Sequence, residues 1–220
     1  MNYFAHALNH IDRPYFMAGT AIPDWLSAVD RKVRLRPRCL EPWLCCEDAI
    51  QSDVAAGALQ HLMDDDWFHA TRGFVEVTSE LTRLFREQLG PDERFHCGFL
   101  GHVGMELILD GVLMFRYPDR FEDYWRTMEF VEPTVIESAV NRMARNQTDR
   151  LAWFIDLYRR EQFLRSYEND RSLLARLNQV LLRVKLWPIP LEAEEVVAVG
   201  RSLVRQRLRD LLPVEHFSLN

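Results

Sequence analysis

The sequence predicts an all-α protein folded as a single-domain helical bundle. Three observations carry this expectation. Apolar residues recur at intervals of three and four along nearly the whole chain. No five-residue stretch alternates well enough to read as a strand. Glycine is scarce, nine in 220 residues, which counts against a turn-rich β fold and against a glycine-loop dinucleotide site.

The elements follow in order. Asp24, after Ile22 and Pro23, reads on local grounds as the cap of a short helix. Residues Arg31 to Pro42 are the least regular and read as a basic loop carrying Arg31, Lys32, Arg34, Arg36 and Arg38. From Val54 to Leu89 the apolar positions Leu59, Leu62, Met63, Val77, Leu81, Leu84 and Phe85 predict one long helix, stopped by Gly90-Pro91. Phe95 to Phe115 is apolar almost all round and predicts a central buried helix. A third stretch covers Arg120 to Asn146, with a break at Pro133. A fourth starts near Asp149, bends near Asn169-Asp170 and stops at Trp187-Pro188-Ile189-Pro190. The last helix spans Glu192 to Leu212. The domain reading is one all-α unit over 1–220, with 190–220 readable as an appended C-terminal helix.

Composition narrows the function classes. At 48% hydrophobic and 27% charged residues, the chain is ordinary globular material with enough length for a sizeable core. A net charge of −6 argues against a nucleic-acid partner. No apolar run reads as reaching the ~20 residues that span a bilayer, so no membrane partner is expected. Met1 to His10 has neither a basic nor an apolar leader region and does not read as a signal peptide. Cys39, Cys45, Cys46 and Cys97 form no C-x-x-C pair, so neither a zinc knuckle nor a disulfide framework is expected, and cytoplasmic residence is. Nothing in the pattern sets an oligomeric state.

The histidines are placed less evenly. Six of the seven lie within the first 102 residues. His61, Asp65 and His69 fall at i, i+4 and i+8 and share one helical face. The ends of this trio are ~12 Å apart along the axis, so one ion cannot take all three. His102, Glu106 and Asp110 repeat the spacing on an otherwise apolar helix. Two carboxylates on an apolar stripe need compensation by arginine, protonation or a cation, and the histidine beside them favours a cation. Gly98, Gly101, Gly104 and Gly111 offer places where neighbouring helices can approach closely.

Each set also has a plainer reading. His61, Asp65 and His69 can be a solvated face, and Asp64-Asp65-Asp66 can cap a helix starting at Trp67. His102, Glu106 and Asp110 can form a buried polar network with arginine. His6 alone reads as a satisfied core histidine. The spacing of His10, His96 and His216 points to no function. Two metal architectures are excluded by pattern: the Glu-x-x-His of di-iron bundles and the H-E-x-x-H of zincins.

The N-terminal half also resembles a known family. Met1-Asn2-Tyr3-Phe4-Ala5-His6 is similar to the M-N-[FY]-L-A-H start of the acyl carrier protein phosphodiesterases. Gly19-Thr20-Ala21-Ile22-Pro23-Asp24 resembles their G-N-x-x-x-D segment, with Thr20 in place of Asn. Val54 to Asp65 matches V-x-x-G-x-x-x-H-x-x-x-D through Gly57, His61 and Asp65, and His69 falls where the family usually has Asp. Asp110 matches the Asp of a D-H-x-L segment whose His is Gly111 here. That family is similar to HD-type metal phosphohydrolases, so the resemblance implies an HD-domain-like fold. It implies release of a phosphopantetheine arm from an acyl carrier protein by phosphodiester cleavage. It also implies metal or catalytic roles for His6, Asp24, His61, Asp65 and Asp110.

Spacing and resemblance together name His6, Asp24, His61, Asp65, His69, His102, Glu106 and Asp110 as metal ligands. Asp24 and Glu106 are the candidates for orienting a catalytic water. Mixed imidazole and carboxylate ligands suit Mn, Fe or Zn. The expected function is a metal-dependent phosphohydrolase whose substrate is a phosphate ester, carried on an acyl carrier protein if the resemblance extends that far. The basic loop is a candidate phosphate holder. The competing expectation is a non-catalytic helical binding or scaffold protein with a degenerate polar or metal site.

Overall fold

The structure is a computed structural model that describes residues 1–92 and 94–218. It is all-α, with twelve α-helices, three short 3-10 segments and no strand among the described residues. Contacts gather into two compact units. Unit one holds residues 1, 3–66 and 117–162, and unit two holds residues 2, 67–116 and 163–220.

Unit one contains α1 (Tyr3–Ala7), α2 (Pro14–Val29), α3 (Pro37–Leu40), most of α4 (Ala49–Ala70), α7 (Pro118–Met128), α8 (Pro133–Met143) and α9 (Leu151–Glu161). Proline opens α2, α3, α7 and α8, where its missing N–H costs nothing and its φ suits a helix. The core is aromatic. Phe4 meets Phe121 edge-on at 5.3 Å, Trp25 meets Tyr158 at 5.3 Å, and the buried hydroxyls of Tyr124 and Tyr158 share a hydrogen bond of 2.5 Å. Asp24 lies inside α2, so it does not cap a short helix; Pro14 starts this helix ten residues earlier. The Arg31 to Pro42 stretch is more ordered than a plain loop. Val33 and Leu35 are buried, the five cationic side chains are exposed, and α3 begins at Pro37.

Unit two contains the last turn of α4, then α5 (Arg72–Leu89), α6 (Cys97–Arg116), a 3-10 segment (Phe163–Glu168), α10 (Asp170–Arg183), a 3-10 turn (Leu191–Ala193), α11 (Glu194–Gln206) and α12 (Leu208–Leu211). The expected single helix from Val54 to Leu89 is two helices. Thr71 sits in extended backbone between them, and its hydroxyl accepts the Phe74 N–H at 3.1 Å while donating to the Phe68 carbonyl at 2.8 Å. Asp64, Asp65 and Asp66 are interior to α4 and cap nothing. The expected last helix likewise divides, at Arg207, into α11 and α12.

The central helix is α6. On length and composition it could cross a membrane, with mean hydropathy 1.4 over its best window, which the simpler reading of apolar runs overlooked; 67% of that window is buried in the protein. The glycines of α6 are not equivalent. A Cβ on Gly101 would lie 2.2 Å from Thr82 Oγ1 and 2.8 Å from the Thr78 carbonyl, so α5 and α6 touch backbone to backbone there. Gly98 has open space around it, and Gly104 meets only the Phe85 and Leu177 side chains at ordinary distances.

Candidate metal centre

The first group of potential ligands lies in unit one, and glycine builds it. A Cβ on Gly57 would come within 2.1 Å of the Phe16 carbonyl, and one on Gly19 within 2.7 Å of the Val54 carbonyl. Helices α2 and α4 therefore cross with their backbones in contact, which no larger residue permits. One turn beyond Gly57, His61 is carried onto the carbonyl of Thr20. Its Nδ1–H donates to that oxygen at 2.8 Å. The bond fixes the tautomer and leaves Nε2 free, 3.5 Å from Asp65 Oδ2.

His6, on the short buried α1, is held in the same way by a different partner. Its Nδ1 pairs with Asp64 Oδ2 at 3.2 Å, and Asp64 in turn accepts from Gln60 Nε2 at 2.8 Å. His6 Nε2 is buried without a hydrogen bond and points at Asp65 Oδ1, 3.3 Å away. The two imidazoles stack at 4.0 Å with 25° between planes. One ligand atom from each of His6, His61 and Asp65 lies within 4.8 Å of the others.

This arrangement fits a metal ion. Donors ~2.1 Å from a tetrahedral ion lie about 3.4 Å apart, close to the separations found here. Each histidine has its outer nitrogen tied to a carboxylate or a carbonyl, as metal-ligating histidines usually do. The buried, unbonded Nε2 of His6 lacks only an acceptor of its lone pair. Asp65 is 32% exposed, so its side of the group is the one open to water.

The electrostatics agree. Burial pushes the His61 pKa down, but donation of a hydrogen bond to Asp65 and the charges of Asp24 and Asp65 outweigh it and hold it above the ordinary histidine value. Burial likewise pushes Asp65 up, yet the imidazoles of His6 and His61 beside it and the Met1 α-amine hold it well below the usual carboxylate range. Asp65 also accepts the Met1 α-amine at 2.7 Å.

The second group lies in unit two. His69, in the last turn of α4, places Nε2 3.2 Å from Glu106 Oε1, and His102 places its own Nε2 3.3 Å from the same oxygen. These three also bring one ligand atom each within 4.8 Å of one another. Burial pushes the Glu106 pKa up, while positive charge acting on it and then hydrogen bonds from His102 and His69 hold it well below the ordinary value.

The eight residues expected as ligands thus separate. His6, His61 and Asp65 converge in one group, and His69, His102 and Glu106 in another. The first i+8 trio divides, His61 and Asp65 going to one group and His69 to the other, while the second gives His102 and Glu106 to one group and leaves Asp110 out. Asp24 is half-buried on α2 and reaches the first group by its charge on His61, without joining the three converging atoms. Asp110 is fully buried on α6 and belongs to neither group. Gly111 is pressed against the Tyr167 carbonyl, 2.6 Å from where a Cβ would sit, and against the Arg201 guanidinium at 2.7 Å. A histidine at 111 has no room.

Sequence reasoning missed three contributors. Asp64 orients His6, and its only signal was adjacency to Asp65. The Thr20 carbonyl orients His61, a backbone role that no side-chain pattern reveals. Phe74 packs on both imidazoles of the second group, 4.6 Å from His69 and 5.1 Å from His102.

Comparison with family models, with curated proteins and with solved structures found no match for this chain.

Proposed function

We propose that the protein is a metal-dependent phosphohydrolase acting on a phosphodiester, with a phosphopantetheine-type ester on an acyl carrier protein as the substrate that the sequence resemblance implies. One observation carries the reading: two buried histidines, their Nδ1 atoms tied down, aim Nε2 at one carboxylate. A divalent Mn, Fe or Zn ion, when bound, would supply Lewis acidity and a water ionising near neutral pH.

The chain's own residues do the rest. Asp64 and the Thr20 carbonyl take the Nδ1 atoms of His6 and His61 and turn both Nε2 atoms toward Asp65. Asp65 completes the ligand set and faces solvent, where a substrate arrives. Asp24, whose charge acts on His61, is the carboxylate that would orient the attacking water and take its proton. Arg31, Lys32, Arg34, Arg36 and Arg38 form no ion pair with an acid among the described residues. Arg31 and Arg34 spend Nε on carbonyls, which leaves the charge of the loop available to an anionic substrate or carrier.

Reconstitution with Mn, Fe(II) or Zn followed by assay on bis-p-nitrophenyl phosphate tests the reading. Metal-dependent turnover that disappears in His61→Ala is expected. A second reading, a helical binding protein, is favoured by Gly111, where the family resemblance expects a histidine and the packing admits none. Stoichiometric metal with no turnover on diesters or monoesters would decide for it.

A further inference from the structure

We infer that His69, His102 and Glu106 form a second, independent site for a divalent transition metal, exchangeable with solvent. It does not rest on the hydrolase reading. Glu106, its side chain 16% exposed, is a carboxylate on the largely apolar helix α6. Two imidazoles flank this carboxylate, where they can serve as hydrogen-bond donors to it or share a cation with it.

Geometry selects the cation. Both Nε2 atoms approach the same oxygen, Oε1, at 3.2 and 3.3 Å, and the ring centroids are 5.1 Å apart. One ion between them satisfies both nitrogens and the carboxylate together, and the separations are those of donors around an ion with ~2.1 Å bonds.

The surroundings hold the rings in place. Phe74 forms an apolar wall against both imidazoles, and its position follows from the Thr71 cap that starts α5. The backbone contact of α5 and α6 at Gly101 sets His102 one residue further on. His69 and His102 are 36% and 42% exposed, so water completes the coordination. The first group has its histidines at 0% and 4%. Greater exposure means faster exchange and weaker retention.

Isothermal titration of the full chain with Zn or Mn tests this, with circular dichroism checking each variant's fold. The wild type should take two equivalents, the weaker lost in His102→Ala and in Glu106→Gln, the tighter lost in His61→Ala. Unchanged stoichiometry in His102→Ala and Glu106→Gln would overturn the second site and leave the first standing. Unchanged stoichiometry in His61→Ala alone would overturn the reading of the first group and leave this one standing. Should the second-site variants not fold, dialysis of the loaded wild type against a chelator replaces them. Release in two phases is expected, and release of a single equivalent in one phase would overturn the proposal.

Discussion

Asp64 fixes one of the candidate ligands without joining them. Its carboxylate holds His6 by Nδ1 and is itself held by Gln60. Losing such a partner typically weakens metal binding 10–100-fold. Asp64→Ala should therefore lower Zn affinity by about that factor while keeping one equivalent at saturation, whereas Asp65→Ala should abolish the equivalent. Titration calorimetry separates the two. Of these neighbours, Asp65 was legible through its i, i+4 spacing from His61. Asp64 was not, because a run of three acids reads equally well as a helix cap and only the tertiary position of His6 decides between them. The same limit applied to His69. Helical periodicity placed it correctly on the face of His61, but it could not reveal that Phe74 and Glu106 would be its neighbours.

At the scale of elements, the helices were readable and their ends less so. The breaks at Gly90 and Pro133 were visible as glycine and proline, whereas the bend read at Asn169-Asp170 is the start of α10, capped by Asn169 after α9 has ended at Glu161. The break at Thr71 was hidden because threonine is unremarkable within a helix until its hydroxyl turns back to cap the next one. Thr71→Ala should cost about 1 kcal/mol in a denaturant titration. It should also loosen the second metal equivalent, since Phe74 hangs on that cap. The crossing of α2 and α4 is less forgiving. Gly57→Ala drives a methyl into the Phe16 carbonyl and should destabilise by roughly 1–3 kcal/mol or more. Metal should be lost with it, because His61 reaches Thr20 only while the backbones touch. That reading gives the glycine of the V-x-x-G-x-x-x-H segment a physical task.

For the whole molecule, the net charge of −6 includes carboxylates whose local charge a cation would offset. Bound metal should therefore stabilise the fold. At free metal ~100 times Kd the gain is about 2.7 kcal/mol, which thermal denaturation would read as a rise of several degrees in Tm. Acid should reverse it. The raised pKa of His61 means that protons compete with the ion for Nε2. Affinity should climb as pH rises through the ordinary histidine value of 6.5 and level off only above it. Calorimetry across pH 5 to 8 checks the sign; affinity flat over that range would mean that His61 is not a ligand.

The proposed hydrolytic metal centre of His6, His61 and Asp65 ties ion binding to turnover. Titrating metal-free protein with Mn or Zn, with bound ion and bis-p-nitrophenyl phosphate hydrolysis followed in the same sample, tests that tie. The rate should rise in step with occupancy of the tighter equivalent, and His61→Ala should lose both together. Hydrolysis at an undiminished rate in His61→Ala, or no ion bound by the folded wild-type chain, would contradict it.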